Sequence, residues 1–294
     1  MPPPSKTQLT ETMLMSPSQT ASPFKIATAP TLHAQTSDTP ALLRRDWIAG
    51  LEKGLVLLEC FDEEHSRLSA TQVAQRAGLA RTAARRYLLT LAHLGYIATD
   101  GKLYWLTPRV LRLSQAYLSS SRLARIAQPF LQRLAQGLGE GVYLSVMEGD
   151  SIVYIARQGS SSDAGRLQQI GYMLGTLVPA HVTAAGIVLL ALRPGNLDDW
   201  LSRVELKALT AHSVTDKTIM RQKLLDVRLQ GWAISEQQLE LMYRGTAVPV
   251  RDSRGNVVAA LSATTHIGRE SADQAAQRML GVLTDTANSL RNLI

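Results

Sequence analysis

Cysteine is almost missing from this 294-residue chain: Cys60 is the only one, so no internal disulfide can form. A single thiol fits a reducing compartment, and a cytoplasmic protein is the expectation. Aromatic side chains are also scarce, at 5%, although the 45% hydrophobic content is ordinary for a packed globular chain. No run approaches the roughly 18 apolar residues that a membrane helix needs, so no membrane partner is expected. The first residues lack the charged and then apolar pattern of a secretory signal, and residues 1–40 contain no arginine, which argues against a mitochondrial transit peptide.

Acids are missing from one long stretch. Between His65 and Gly139 the only acid is Asp100, beside eleven basic residues: Arg67, Arg76, Arg81, Arg85, Arg86, Lys102, Arg109, Arg112, Arg122, Arg125 and Arg133. That stretch carries +10, while the rest of the chain sums to −3. A single-sign block is either a solvated basic surface or the footprint of a polyanion partner. Catalytic signatures are lacking too: there is no nucleophile elbow, HExxH, phosphate loop or CxxC pair. Gly137–Gly141 is glycine-rich but lacks GxGxxG spacing and reads as a helix-ending loop. Asp198 and Asp199 are sequence neighbours that point to different sides of a helix, so they read as a solvated turn. Neither an enzyme nor a metal or cofactor is expected.

Residues 1–40 are rich in Pro, Ser, Thr and Ala and read as a disordered tail. From Ala41 the pattern turns helical: Leu51, Gly54, Leu55 and Leu58 predict an amphipathic helix ending near Phe61. Ser69 is a candidate N-cap for a helix over Ala70–Ala77. Gly78-Leu79 is a turn, and a second helix is predicted from about Ala80 to Leu94, stopped by Gly95. Tyr96–Ala98 and Leu103–Leu106 flank Asp100-Gly101, a hairpin signal. Thr107-Pro108 starts a linker helix running into Leu123. The second half alternates. Helices are predicted at Pro129–Leu138, Thr183–Leu192, Thr215–Leu229 and Asp273–Leu293. Strands are predicted at Val142–Val146, Ile152–Ala156, Leu167–Ile170, Thr246–Val250 and Val257–Thr264, with a Ser/Gly-rich loop at Gly159–Gly165. The fold class is α+β, one sheet with helices packed on it.

Leu68–Ile97 reads LSATQVAQRAGLARTAARRYLLTLAHLGYI. Two short helices joined by a glycine turn form a helix-turn-helix, whose second helix lies in the major groove of DNA. On a helical wheel Ala84, Tyr87, Leu88, Leu91 and Leu94 share a core face, while Thr82, Arg85, Arg86 and His93 fall opposite and Arg81 sits at the tip. Leu89 breaks this pattern. Arginine suits the task because its fork bonds guanine O6 and N7 together and also pairs with phosphate. Arg81, Thr82 and Arg85 are the candidate base readers, and Arg86 a base or phosphate contact. Lys102 lies on the hairpin, where a wing would touch the flanking backbone. Trp105 reads as core rather than as a base-stacking residue. A purely structural DNA binder is the other reading of this half, but it would not need some 170 further residues.

The motifs together resemble a known family. LEKGLVLLECF, the helix-turn-helix stretch and YWLTPRVLRL are similar to the N-terminal half of the IclR family of bacterial regulators. GYMLGTLVPAHVTAAGIVLLA and TAVPVRDSRGNVVAALSAT are similar to its C-terminal half. RTAARRYLLTLAHLGY and WLTPRVLRLSQAYLSS most resemble the branch that controls aromatic-acid catabolism. The resemblance covers residues 45–290. It implies a winged helix-turn-helix over 45–107, a linker helix over 108–122 and a GAF-like effector domain over 123–294. It also implies a dimer or tetramer on operator DNA, and a small organic acid as ligand, with an aromatic carboxylate favoured over a short aliphatic keto or dicarboxylic acid.

The ligand contacts follow in part from physics. Pro179–Thr183 leads into a helix at Ala184-Ala185, whose free N–H groups and positive dipole end suit a carboxylate. The resemblance places ligand contacts at this turn (His181, Thr183, Ala184 and Ala185) and on later strands (Ser235, Gly245, Ser262 and Thr264). Ser262 and Thr264 are two apart, so both hydroxyls share a face. His181 reads equally as an acid's donor or as a satisfied structural histidine. Arg166 and Arg244 are candidate counter-charges. Leu177 stands where many members carry arginine, and with Tyr172 and Met173 it offers an apolar wall for a ring.

Overall fold

The computed structural model describes residues 44–62, 64–159 and 173–294. The expected tail over 1–40, the strand over Leu167–Ile170, Arg166 and Tyr172 lie outside the described residues, as does most of the Gly159–Gly165 loop.

The basic half folds as α1 (Ala49–Leu58), β1 (Leu68–Ser69), α2 (Ala70–Arg76), α3 (Arg81–His93), β2 (Ile97–Thr99) and β3 (Leu103–Leu106). Ser69 caps α2 as expected, in a reciprocal capping box with Gln72. Such a cap stabilises a helix by about 1 kcal/mol. Gly78, at φ 62°, supplies the left-handed residue that lets Leu79 N–H reach back to the Ala74 carbonyl and turn the chain into α3. At the hairpin tip the Asp100 carboxylate accepts from the N–H groups of Lys102 and Leu103 at 2.9 and 2.8 Å. Leu57, Val73, Ala84, Leu88, Ile97 and Tyr104 form the core of this half.

Four local readings change. A two-residue strand, β1, pairs antiparallel with β3, giving the sheet order β1-β3-β2. It is too short to show a period-2 pattern. Leu94 is 47% exposed rather than core, because α3 ends one residue before it. Trp105 is half-buried with the Arg67 guanidinium stacked 4.2 Å over its ring, while its neighbour Tyr104 takes the core position. On α1 the buried residues are Val56 and Leu57, and the apolar stripe Leu51 and Leu55 faces outward, 61% and 48% exposed.

The expected single linker helix is broken. After a 3-10 turn (Pro108–Val110), α4 (Leu111–Ser120) ends where Ser121 takes an extended ψ of 101° and caps α5 (Arg122–Leu138). The Ser121 hydroxyl accepts from Ala124 N–H, which offers the backbone a fresh start rather than a continuous helix. Pro129, read as a helix start, lies within α5.

The second half has β4 (Gly141–Glu148), β5 (Ser151–Gln158), β6 (Leu177–Pro179), α6 (Ala184–Leu192), α7 (Leu197–Arg203), α8 (Lys217–Gln230), β7 (Ala233–Glu236), β8 (Tyr243–Arg251), β9 (Val257–His266) and α9 (Ala272–Arg291). The six strands form one antiparallel sheet in the order β6-β5-β4-β9-β8-β7. Side chains alternate across it. Ala259, Leu261 and Ala263 of β9 pack with α5 and α9, and Ala260 packs on the other face with α6 and α8. This is the expected α+β arrangement, with helices on both faces. β6, β7 and α7 had no sequence counterpart. α7, capped by Asn196, replaces the solvated turn at Asp198-Asp199, and Asp198 pairs with Arg221 at 2.7 Å.

α6 is the pivot of this half. Eight of its nine residues are buried, as expected for a helix apolar on all sides. Gly186 permits its approach to the preceding 3-10 turn (Ala180–Val182): a Cβ there would lie 2.1 Å from the Ala180 carbonyl oxygen. Among the described residues no helix is long and apolar enough to cross a membrane.

Candidate functional site

The basic block divides once folded. Arg76 is tied to Asp62 at 2.5 Å and to His65, Arg67 stacks on Trp105, and Arg109 stacks on Tyr96 at 5.2 Å. These three serve the fold. Arg81, Thr82, Arg85, Arg86 and Lys102 are all exposed, and no side chain among the five forms a bond or ion pair among the described residues. The first four lie on the outer face of α3, opposite the buried Ala84, Leu88 and Leu91. Leu89, 41% exposed, belongs to that outer face, which explains why it did not fit the core stripe. Lys102 is on the β2–β3 turn. A helix with free arginines beside a hairpin with a free lysine can enter a major groove and hold the adjoining phosphates.

The second site is a cavity between α6 and the sheet. The strand register builds one wall: Ser235 of β7 pairs with Gly245 of β8, which pairs with Thr264 of β9, so the three lie in one row. Ser262 lies two residues back on the same face. The row is lined by Ser235, Gly245, Ser262 and Thr264; facing it are Val182, Thr183, Ala184 and Ala185 at the start of α6. Tyr154 of β5, Tyr243 of β8 and the connection Gln238-Leu239-Glu240 complete the lining. Thr183 caps α6, accepting from Gly186 N–H at 2.9 Å. The Ser235 hydroxyl donates to the Val182 carbonyl at 2.8 Å. The first-turn N–H groups of α6 have no acceptor within their own helix and present its positive end to the cavity. The absence of a side chain at Gly245 keeps the row open; a Cβ there would meet Ala184 Cβ at 3.4 Å. The cavity is narrow, about 30 Å3.

Seven of the expected ligand residues therefore line one cavity: Thr183, Ala184, Ala185, Ser235, Gly245, Ser262 and Thr264. His181 does not line it. Its buried ring is held by the Lys207 carbonyl, Nε2 to O 3.0 Å, and burial lowers its pKa, so of its two readings the geometry gives the structural one. Arg244 faces away: it pairs with Glu236 at 2.7 Å and donates to the Glu270 carbonyl at 2.9 Å. Neighbours on a strand point to opposite faces, so Gly245 in the cavity requires Arg244 outside it. The apolar wall is not at Met173 and Leu177, which are exposed; Val182 and Leu239 provide it. Tyr154, Gln238, Leu239, Glu240 and Tyr243 were missed. Tyr154 had a readable signal, a polar tip within an apolar strand; the others sit on or beside an irregular connection with no period to read.

Neither site holds an activated nucleophile. Burial pushes the Cys60 thiol up to about 11, and its Sγ donates to the Val56 carbonyl. Tyr154 is likewise shifted up by burial and by its neighbour Tyr143.

Comparison with known proteins identifies both domains. The IclR helix-turn-helix domain matches residues 50–101, and the C-terminal domain of the bacterial transcriptional regulator IclR matches residues 115–292. The p-hydroxybenzoate hydroxylase transcriptional activator of Acinetobacter baylyi is 40% identical over 251 residues, covering 85% of this chain and 93% of its own. The Pca regulon regulatory protein of Pseudomonas putida is 38% identical, covering 92% and 90%. Among solved structures, a double mutant of the PobR inducer-binding domain from Acinetobacter, in complex with 3-hydroxybenzoic acid, is 30% identical with a TM-score of 0.55, covering 58% of this chain and 98% of that one. The two domains are those of a regulator rather than of an enzyme, and the chain belongs to the IclR family of bacterial transcriptional regulators.

Proposed function

We propose that this regulator senses an aromatic carboxylate in the α6 cavity and controls a catabolic operon through operator contacts made by Arg81, Thr82, Arg85, Arg86 and Lys102. The observation that carries the reading is the cavity itself: the hydroxyls of Thr183, Ser235, Ser262 and Thr264, two helix N-terminal amides and an open glycine, with no Ser–His or Cys–His pair among the lining residues. Such a lining recognises an acid and leaves it unchanged. The ligand's carboxylate lies at the N–H groups of Ala184 and Ala185, with Ser262 and Thr264 as flanking donors, since the Thr183 hydroxyl is engaged in the helix cap. Gly245 supports a ring, because it removes bulk where a flat ligand would pass. The relative named for p-hydroxybenzoate hydroxylase and the solved inducer-binding domain with 3-hydroxybenzoic acid support the same ligand class.

A second reading, a short aliphatic keto or dicarboxylic acid, is favoured by the volume. A cavity of about 150 Å3 holds benzene, and this one measures about 30 Å3. A ring therefore requires a wall to move, and the Gln238–Glu240 connection, outside strand pairing but bonded to Ser213 and Val214, moves as one piece with that segment. That movement supplies the linkage: a ligand shifts the equilibrium only by its different affinity for the two arrangements. In this reading residues 45–107 bind DNA, 108–122 connect and 123–294 sense, in a cytoplasmic protein found on the nucleoid when bound to DNA.

Self-association completes it. Trp47, Ile48, Leu51 and Leu55 around α1, and Leu111, Leu113 and Tyr117 on α4, are exposed, and α4 has no buried residue. A ten-residue helix without a core face is covered by a second copy in a dimer or tetramer. The test of the function is operator binding at fixed salt with and without each acid, beside calorimetric titration of the protein. Heat and altered retention with 4-hydroxybenzoate support the ring; heat with pyruvate alone supports the short acid.

A further inference from the structure

The β7–β8 connection carries a carboxyl group that acid sensing at α6 does not use. Glu240 lines the cavity, and its Oε2 atom is buried without a hydrogen-bond partner. A buried carboxyl oxygen left unpaired is costly, so a partner is expected from outside the chain. The turn that presents it is well held. Gln237 N–H donates to the Tyr243 carbonyl at 2.7 Å, Met242 N–H to Gln237 Oε1 at 3.1 Å, and Val214 N–H to Gln238 Oε1 at 3.2 Å. Gln237 and Met242 take positive φ values of 54° and 68°, so the turn between them is fixed by backbone geometry rather than by a loose excursion.

We propose that Glu240 is the specificity residue for a ring hydroxyl: its carboxyl hydrogen-bonds the hydroxyl substituent of an aromatic acid whose own carboxylate is held at the start of α6. This rests on the aromatic-acid reading above. The chemistry is complementary. The α6 end offers N–H donors to an acceptor, and the Glu240 oxygen offers an acceptor to a donor. An unsubstituted ring acid leaves that oxygen unpaired, and a site built for a hydroxyl rejects the ligand that lacks it far more strongly than an apolar pocket rejects an added group.

The protonation state fits a carboxylate ligand. Burial raises the Glu240 carboxyl to about 7. The other titratable groups on the cavity are Tyr154 from β5 and Tyr243 from β8; α6 and β9 contribute no ionisable side chain, and no cation lines it among the described residues. Neutral Glu240 coexists with a ligand carboxylate, whereas ionised Glu240 repels it. Affinity therefore falls as pH rises through about 7, by about tenfold between pH 6 and 8 for one group that must stay protonated. His181 does not compete as the cause, since its pKa is shifted down and away from this window.

The experiment is calorimetric titration of the full chain, and of Glu240→Leu and Glu240→Gln, with benzoate, 4-hydroxybenzoate, 3-hydroxybenzoate and pyruvate at pH 6 and pH 8. Melting curves of the variants establish that each is folded. The expected result is a wild-type preference for a hydroxybenzoate over benzoate of about tenfold or more, lost in Glu240→Leu through weaker hydroxybenzoate binding, with benzoate unchanged at pH 6 and stronger at pH 8. Glu240→Gln, which still accepts from a hydroxyl, keeps the preference and loses the pH dependence. An unchanged preference in folded Glu240→Leu overturns the assignment, as does equal wild-type affinity for benzoate and both hydroxybenzoates; in both cases the aromatic-acid reading stands. Binding of pyruvate alone removes that reading and the Glu240 assignment with it.

Discussion

The Ser235 hydroxyl donates to the carbonyl of Val182 at 2.8 Å, joining two residues 53 positions apart that both line the cavity. The bond fastens β7 to the turn that begins α6, so the carboxylate end of the cavity and its hydroxyl row are held in one frame. Ser235→Ala removes the tie and leaves the carbonyl unpaired. Since such a bond contributes about 0.5–1.5 kcal/mol, ligand affinity falls roughly three- to tenfold, read by calorimetry, with operator affinity in the absence of ligand unchanged.

Arg85→Ala removes one free guanidinium from the outer face of α3. A bidentate base contact is worth about 1–3 kcal/mol, so specific operator affinity drops roughly five- to 150-fold while melting and ligand titration stay as in the wild type. Lys102→Ala, by contrast, weakens binding evenly across sequences and lowers the salt slope by about one. Gel-shift titrations over a salt series separate the two, and equal operator affinity in Arg85→Ala takes that residue out of the reading set.

Gly186→Ala places a methyl group against the Ala180 backbone, at 2.1 Å from its oxygen before any shift. Backbone yields less readily than a side-chain tip, and overpacking of this kind costs about 1–3 kcal/mol or more. Thermal melting is expected to fall, and calorimetric ligand binding to fall with it, because the same shift moves the N–H groups of Ala184 and Ala185. A variant as stable as the wild type, with intact binding, would contradict the packing described for α6.

Leu51→Glu combined with Leu55→Glu puts charge on the outward stripe of α1. These side chains are exposed in the single chain, so the fold tolerates the change, and the expected outcome is a shift to monomer in light scattering with weakened operator binding. An unchanged oligomer assigns self-association to other surfaces.

Stability should also respond to Glu240. Its carboxyl titrates near 7 in the folded protein, against an ordinary value of 4.5, because burial disfavours the charge. The folded state therefore holds the proton more tightly than the unfolded chain between those values. Its contribution is present below about pH 4.5, declines as pH rises to about 7, and changes no further above that. Melting temperatures of wild type against Glu240→Gln over this window test the sign: the wild type should lose stability relative to the variant as pH rises from about 4.5 to about 7.

Much of the reading helix was legible before folding, because each of its signals is local. Ser69 with Gln72, the glycine at 78, the apolar spacing of Ala84, Leu88 and Leu91, and Asp100-Gly101 each act within a few residues, and together they determined the helix-turn-helix, its exposed arginines and its hairpin. The seven cavity residues at 183–185, 235, 245, 262 and 264 were named through resemblance and through the two-residue period of a strand. What only the tertiary structure decided is where non-local partners compete. Arg76 pairs with Asp62, and Arg67 and Arg109, though still exposed, stack on Trp105 and Tyr96. His181 turned to Lys207 and Arg244 to Glu236, while Glu240, on an aperiodic connection, came into the cavity with an oxygen to spare. The sequence by itself determined the longer elements, since helix and strand periods and caps are short-range, but not the short β1, β6, β7 and α7. It did not determine which face of each polar side chain meets a partner, because that depends on a register joining strands tens of residues apart.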